Sequence, residues 1–195
     1  MGNIIGKDFK YKIIKNFLTQ EEIDLAKKYY VMKHRSHFSD FYENQGMPLL
    51  NANVDTAWYA EPLAESFLLT KLKKMQEETG LELNPTYAFA RVYTYLATLD
   101  KHKDRPECEI SVTVMVGSSG EEWPIFIDGN PINLEPGDAA IYLGCELEHE
   151  RKEFKGDWHA QFFLHYVNKN GPYADRIADG RKLWGVDKNV AQNKR

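Results

Sequence analysis

From residue 87 onward the chain is cut into short runs rich in β-branched and aromatic residues, over 87–96, 109–116, 123–127, 139–143 and 158–167. The separators are turn formers: Gly117-Ser118-Ser119-Gly120, Asp128-Gly129-Asn130-Pro131 and Glu135-Pro136-Gly137-Asp138. Glycine supplies positive φ, proline presets φ, and Asn and Asp bond back to their own backbone. Short strands at regular spacing with such turns point to an antiparallel sandwich or barrel. They do not suit a parallel sheet with alternating helices.

Before residue 82 the pattern is different. Thr19-Gln20-Glu21-Glu22 has capping-box spacing, so a helix is expected over 21–32, with Ile23, Ala26, Lys27 and Tyr30 at helical spacing. A second helix is expected over 62–79. Pro62 suits its first turn and Gly80 its C-terminal stop. Residues 36–59 are irregular and rich in Asn, Gly and aromatics, long for a connector, and are expected to form a lid or substrate loop. After Gly171 comes one amphipathic stretch, over 174–184, and then a loose end. With 195 residues there is material for one sizeable core. The expected fold is α+β, a single domain over 1–195. Residues 1–82 supply helical support, 85–168 form a double-stranded β-helix (a jelly-roll or cupin-like barrel), and 169–195 form a tail.

The net charge of −4 gives no electrostatic case for nucleic acid. No apolar run approaches the roughly 18 residues of a membrane span. The first residues lack the apolar run of a signal peptide, and Gly6 stands where N-myristoylation wants Ser or Thr. Two cysteines, Cys108 and Cys145, make no disulfide framework and fit a reducing cytoplasm. Small core residues near strand ends are their expected role, with thiolate ligation the alternative. The oligomeric state is not legible.

Chemistry enters with His102-Lys103-Asp104 and, 45 positions after Asp104, His149. Two imidazoles and one carboxylate bind one face of a non-haem Fe(II) and leave the opposite positions open, where a 2-oxo acid and O₂ coordinate. On an extended segment, residues i and i+2 share a face at roughly 6–7 Å, so His102 and Asp104 reach one ion. His149 must arrive from a neighbouring strand. The intervening residues hold about two hairpins, enough to close a barrel and bring both strand ends to one opening. His34 and His37 stand i, i+3, but a solvated helix end is the expected reading, since no third ligand lies near.

The stretch 93–104, Tyr-Thr-Tyr-Leu-Ala-Thr-Leu-Asp-Lys-His-Lys-Asp, resembles the pattern Tyr-x-x-Gly-x-x-Leu-x-x-His-x-Asp of the Fe(II)/2-oxoglutarate-dependent dioxygenases, in their prolyl-4-hydroxylase-like branch. Leu96 stands where that pattern has Gly. Pro136-Gly137-Asp138-Ala139 resembles the turn into the strand before the distal histidine, and 144–151 resembles the distal-ligand segment. The resemblance covers about 85–168. It implies His102, Asp104 and His149 as iron ligands, and 2-oxoglutarate and O₂ as co-substrates. It also implies Tyr93 as a hydrogen-bond partner of 2-oxoglutarate, a barrel-wall aromatic being the alternative. The branch suggests hydroxylation of a peptidyl prolyl or amino-acid-like substrate, a small molecule or peptide. Asp104 argues against the halogenating variant, which lacks the carboxylate.

The family pairs the far carboxylate of the co-substrate with Arg or Lys about ten residues after the distal histidine. Here that position is His159, and 156–168 contains neither Arg nor Lys. Arg151, two residues after His149, shares the ligand face if extended, and its fork suits a carboxylate. The alternative for Arg151 is a rim salt bridge with Glu150 or Glu153. His159 is a second candidate, as a cation or a neutral donor, and Arg91, of the same parity as Tyr93, a third. The rival reading of the whole chain is a cupin-like metal-binding or isomerase protein without oxidative turnover.

Overall fold

The computed structural model describes residues 9–43 and 55–187, side chains of 37–43 excepted. The elements run β1 (Tyr11–Ile14), α1 (Gln20–Glu43), β2 (Thr56–Tyr59), α2 (Pro62–Thr70), α3 (Leu72–Thr79), β3 (Leu83–Thr94), β4 (Leu99–His102), β5 (Ile110–Ser118), β6 (Ile125–Ile127), β7 (Asn130–Ile132), β8 (Ala139–Tyr142), β9 (His149–Arg151) and β10 (Trp158–Asn168). Two antiparallel sheets result, ordered β1-β8-β5-β10-β3-β2 and β4-β9-β6-β7. This is the antiparallel barrel expected from the turn pattern, in the double-stranded β-helix form expected from the ligand layout and the resemblance.

The helices start where the sequence places them. Thr19 Oγ1 accepts from the Glu22 N–H at 3.3 Å, and the Glu22 carboxylate accepts from the Thr19 N–H at 2.9 Å, closing a capping box. Pro62 opens α2, and Gly80 ends α3 at φ 71. The single helix expected over 62–79 is two, because Lys71 leaves helical geometry at ψ −2; its ammonium reaches Glu22 at 2.7 Å. The first 82 residues are not only helical. β1 and β2 supply the two edges of the large sheet, pairing with β8 and β3. Those edges would otherwise leave unpaired backbone donors and acceptors. The lid expectation over 36–59 falls mostly outside the described residues; α1 continues to Glu43 and β2 begins at Thr56. His34 is not solvated but buried, its Nδ1 2.7 Å from Thr56 Oγ1, tying α1 to β2.

Strand alternation gives the large sheet two different faces. Ala88, Ala90 and Val92 of β3, Val112, Val114 and Val116 of β5, and Phe162 and Leu164 of β10 pack against Tyr30, Phe67, Leu68 and Met75 of the helices. Phe67 and Phe162 stack at 5.0 Å. Each buried aromatic of this layer contributes roughly 2 kcal/mol relative to exposure. The intervening positions, among them Tyr93, Ser111, Thr113, His159, Gln161 and His165, face into the barrel instead. The helix layer therefore carries the main core, while the barrel interior mixes these polar groups with a smaller apolar cluster of Ile125, Ile127, Ile132, Ala140 and Tyr142. The 174–184 stretch forms no α-helix; it contains a 3₁₀ turn over Ile177–Gly180, with positive φ at Ala178, Asp179 and Gly180.

Candidate metal centre

β4 and β9 lie antiparallel, with His102 directly opposite His149. The two rings sit 4.2 Å apart between centroids. Asp104 follows β4, held by its N–H donating to Gly144 O at 2.9 Å. Its Oδ1 is 3.5 Å from His102 Nε2 and 3.5 Å from His149 Nε2. One ligand atom from each of the three residues lies within 4.8 Å of the others. The structure thus brings together His102, Asp104 and His149 as the sequence spacing requires.

The ring nitrogens are already sorted. His102 Nδ1 is 2.7 Å from Asp100 O, and His149 Nδ1 is 3.1 Å from Leu147 O. A carbonyl only accepts, so each Nδ1 carries the proton and each Nε2 presents a lone pair when the ring is neutral. Two lone pairs and a carboxylate oxygen then face one point. Such a set repels itself without a cation at its centre, and it fits a divalent transition metal. Burial opposes the charge on Asp104, but the facing His102 and His149 rings, which donate to it through Nε2 once they take up a proton, outweigh it and hold its pKa well below the ordinary carboxylate range. The Asp104 contact raises the pKa of His102.

The three residues line a cavity of about 280 Å³ together with Tyr93, Tyr142 and His165. Phe89 and Phe163 add apolar wall, and Arg91 lines it too, its guanidinium 2.5 Å from Asp55 and 4.1 Å from the Tyr93 ring centroid.

Arg151 is buried in the barrel, not at its rim, so the salt bridge with Glu150 or Glu153 does not form. It donates to Trp123 O and, at 2.7 Å, to Gln161 Oε1, and its guanidinium lies 4.6 Å from the Trp123 ring centroid. Among the described residues no carboxylate pairs with it, and its Nε has no partner. Desolvation lowers its pKa to about 10, which still leaves it a cation at neutral pH. Tyr93 is fully buried, its hydroxyl 3.5 Å from Gln161 Nε2. His159 shares the Gln161 Oε1 acceptor at 3.3 Å. Burial and the neighbouring Arg151 lower its pKa to about 3, which favours the neutral form of the two considered for His159. Arg151 does not line the 280 Å³ cavity, whereas Tyr93 does.

Sequence reasoning missed two groups of residues. Thr113, directly inside the barrel on β5, has a buried Oγ1 without a partner among the described residues. Ser111 and His165 contact each other beside Asp104. A serine and a threonine within a valine-rich strand carry no local signal; only the strand's parity, combined with the position of the metal residues, could have singled them out.

No protein-family model and no curated protein matches this sequence. Solved structures do. A viral collagen prolyl hydroxylase from Paramecium bursaria Chlorella virus-1, in complex with 2-oxoglutarate, is 12% identical at a TM-score of 0.59, over 82% of this chain and 96% of that one. A prolyl-4-hydroxylase from Pseudomonas putida is 16% identical at a TM-score of 0.51, over 83% and 94%. The α-ketoglutarate-dependent epimerase SnoN of nogalamycin biosynthesis is 10% identical at a TM-score of 0.61, over 91% and 87%. In fold, this chain is a double-stranded β-helix of the kind on which the 2-oxoglutarate/Fe(II) oxygenases are built.

Proposed function

We propose that this chain is a non-haem Fe(II)/2-oxoglutarate-dependent oxygenase that hydroxylates an unactivated C–H of a peptidyl prolyl or amino-acid-like substrate, releasing succinate and CO₂. The observation that carries the reading is the convergence of His102 Nε2, Asp104 Oδ1 and His149 Nε2 beside a barrel cavity, with both Nδ1 protons spent on carbonyls. Fe(II) would be held by these three atoms. When bound, it supplies O₂ activation coupled to oxidative decarboxylation of the 2-oxo acid, chemistry that belongs to the cofactor.

The chain's own residues do the rest. An unpaired buried guanidinium is costly, so Arg151 calls for an anion, and the far carboxylate of 2-oxoglutarate provides one. Arg91 is the weaker candidate because Asp55 already neutralises it. Tyr93 is a further donor, neutral His159 becomes one if its Nε2–H leaves Gln161 Oε1, and Thr113 offers a hydroxyl. Phe89 and Phe163 give the cavity apolar wall beside the metal residues. Since an epimerase has the same fold, hydroxylation rests on the product formed and not on the fold. One observation favours the rival, a cupin-like metal-binding or isomerase protein: Arg151 does not line the cavity that holds His102, Asp104 and His149.

Anaerobic titration with Fe(II) and then 2-oxoglutarate separates the two. The expected result is the weak visible charge-transfer band of a chelated 2-oxo acid, absent in His102→Ala. No band, with no 2-oxoglutarate-dependent succinate formation in air, would leave the cupin-like reading. Arg151→Leu should raise the 2-oxoglutarate requirement by ten- to hundredfold, the order expected for losing a charge-assisted pair of about 1.5–3 kcal/mol. Fe(II) binding should change little. Equal requirements in Arg151→Leu and wild type would refute the assignment.

A further inference from the structure

Asp104 has two oxygens, and Oδ1 is the one that meets both histidines, at 3.5 Å. Its Oδ2 lies 3.0 Å from Ser111 Oγ, which lies 3.0 Å from His165 Nδ1. Ser111 and His165 are buried and directly paired across β5 and β10. A serine hydroxyl has one proton. It could go to Oδ2 or to Cys108 O at 3.1 Å, and a buried anionic carboxylate is the stronger acceptor. Ser111 Oγ then accepts from His165, so the proton of that ring sits on Nδ1. The ring is held between Tyr87, centroids 4.6 Å apart, and Phe163, which lies nearly parallel.

The space around Oδ2 is closed as well. A Cβ added at Gly144 would meet Asp104 Oδ2, Ser111 Oγ and Cys108 O, each at 2.5 Å. Glycine is needed there for that close approach. Among the described residues the outer oxygen has one hydroxyl donor, Ser111, and it lies close against Gly144.

We infer that Ser111 and His165 act in series as positioning residues, fixing Asp104 Oδ2 away from the ion so that the carboxylate binds through Oδ1 alone. Single-oxygen binding keeps the other metal positions open for exogenous ligands. The inference rests on the metal-centre reading proposed above, and the test separates the two. Co(II) binding is measured by calorimetry and by visible absorption on the full chain, without co-substrate, for wild type, His102→Ala, Ser111→Ala, His165→Phe and His165→Asn. His102→Ala should lose the site. Ser111→Ala and His165→Phe should bind Co(II) about 10- to 100-fold more weakly, the usual effect of removing a ligand's hydrogen-bond partner. Their visible bands should weaken as Asp104 turns its second oxygen to the ion and the coordination number rises. His165→Asn, whose side-chain N–H stands near the place of Nδ1–H, should recover most of the affinity and the wild-type bands.

If wild type binds no Co(II), or His102→Ala binds it unchanged, the metal-centre reading fails. If His102→Ala loses the site but Ser111→Ala keeps wild-type affinity and bands, the relay fails while the metal centre stands. Ser111→Ala removes a single oxygen and decides the matter alone should His165→Phe not fold. A lower melting temperature of the metal-free variant with an unchanged Co(II) spectrum would assign Ser111 a structural role only and overturn the inference.

Discussion

Leu96 holds φ 68, the left-handed conformation that costs an ordinary residue about 1–2 kcal/mol. Its N–H donates to Phe154 O at 2.9 Å and the next N–H to Thr94 O at 3.0 Å, so the turn before β4 is fixed from both sides. The position is the one where the resembling pattern has glycine, and the backbone keeps the glycine shape without the glycine. Half-exposed, the side chain gains little packing in return. Leu96→Gly should therefore leave stability level or raise it by up to about 1 kcal/mol, the relief partly offset by unfolded-chain entropy. Leu96→Val should lower it, since β-branching aggravates positive φ. Urea unfolding reads both, and a marked loss in Leu96→Gly would mean that packing, not backbone, holds the turn. Acid should act through other single residues. His159 and His165 have pKa values lowered to about 3 and about 4, so the folded chain stays unprotonated where the unfolded chain, near 6.5, takes up protons. Stability should fall as pH drops below 6.5, by about 2 kcal/mol per histidine at pH 5. His102, raised by Asp104, works in the opposite sense, but its exposure weakens the effect. His159→Phe should flatten the decline between pH 7 and 5 in the metal-free protein; an unchanged slope would place the proton uptake elsewhere.

At the scale of elements, what was legible depended on how local the cause is. The cap of α1, the start of α2, the end of α3, and the long strands β3, β5 and β10 follow from neighbouring residues, and all were readable. β4 and β9 were not. Leu-Asp-Lys-His and His-Glu-Arg are poor strand sequences, and they are strands because each pairs with the other. β1 and β2, four residues each, are too short for periodicity to show and are fixed by sheet edges distant in sequence. The site divides the same way. His102 and Asp104 lie two residues apart and their spacing could be argued, whereas Ser111 and His165 meet from 54 residues apart. Arg151 was readable as a candidate by parity, but its burial without a carboxylate was not. Since β1 covers β8, which carries Ala140 and Tyr142 into the barrel, deleting residues 1–14 should expose that edge. The expected result is concentration-dependent association by light scattering, with full-length protein unaffected; a monodisperse truncated chain would show that β8 protects its own edge.

For the whole molecule, the segment after β10 works as a strap. The side chains of Arg181 and Glu65 are both buried and paired, joining the strap to α2, and the Gly185 N–H also donates to Glu65. Further along, Asp179 accepts from both Arg105 amino groups, at 2.9 and 2.8 Å, and from Tyr59. Arg105 adjoins Asp104, and Tyr59 packs 5.1 Å from Tyr87, which lines the cavity. The strap thus reaches from the helix layer to the segment that carries the carboxylate. Positive φ at Ala178, Asp179 and Gly180 is the strained bend that makes this reach possible, and the Asp179 bonds offset its cost. A buried pair that loses one member leaves an uncompensated charge, whereas losing both members leaves none. Arg181→Leu and Glu65→Leu should each destabilise by about 3–5 kcal/mol, and the double variant by clearly less than their sum. Urea unfolding of the four proteins measures the coupling. An additive double variant would mean that Arg181 holds the strap through its contacts with Tyr59 and Trp184 instead, since its guanidinium lies 5.3 and 5.5 Å from those ring centroids.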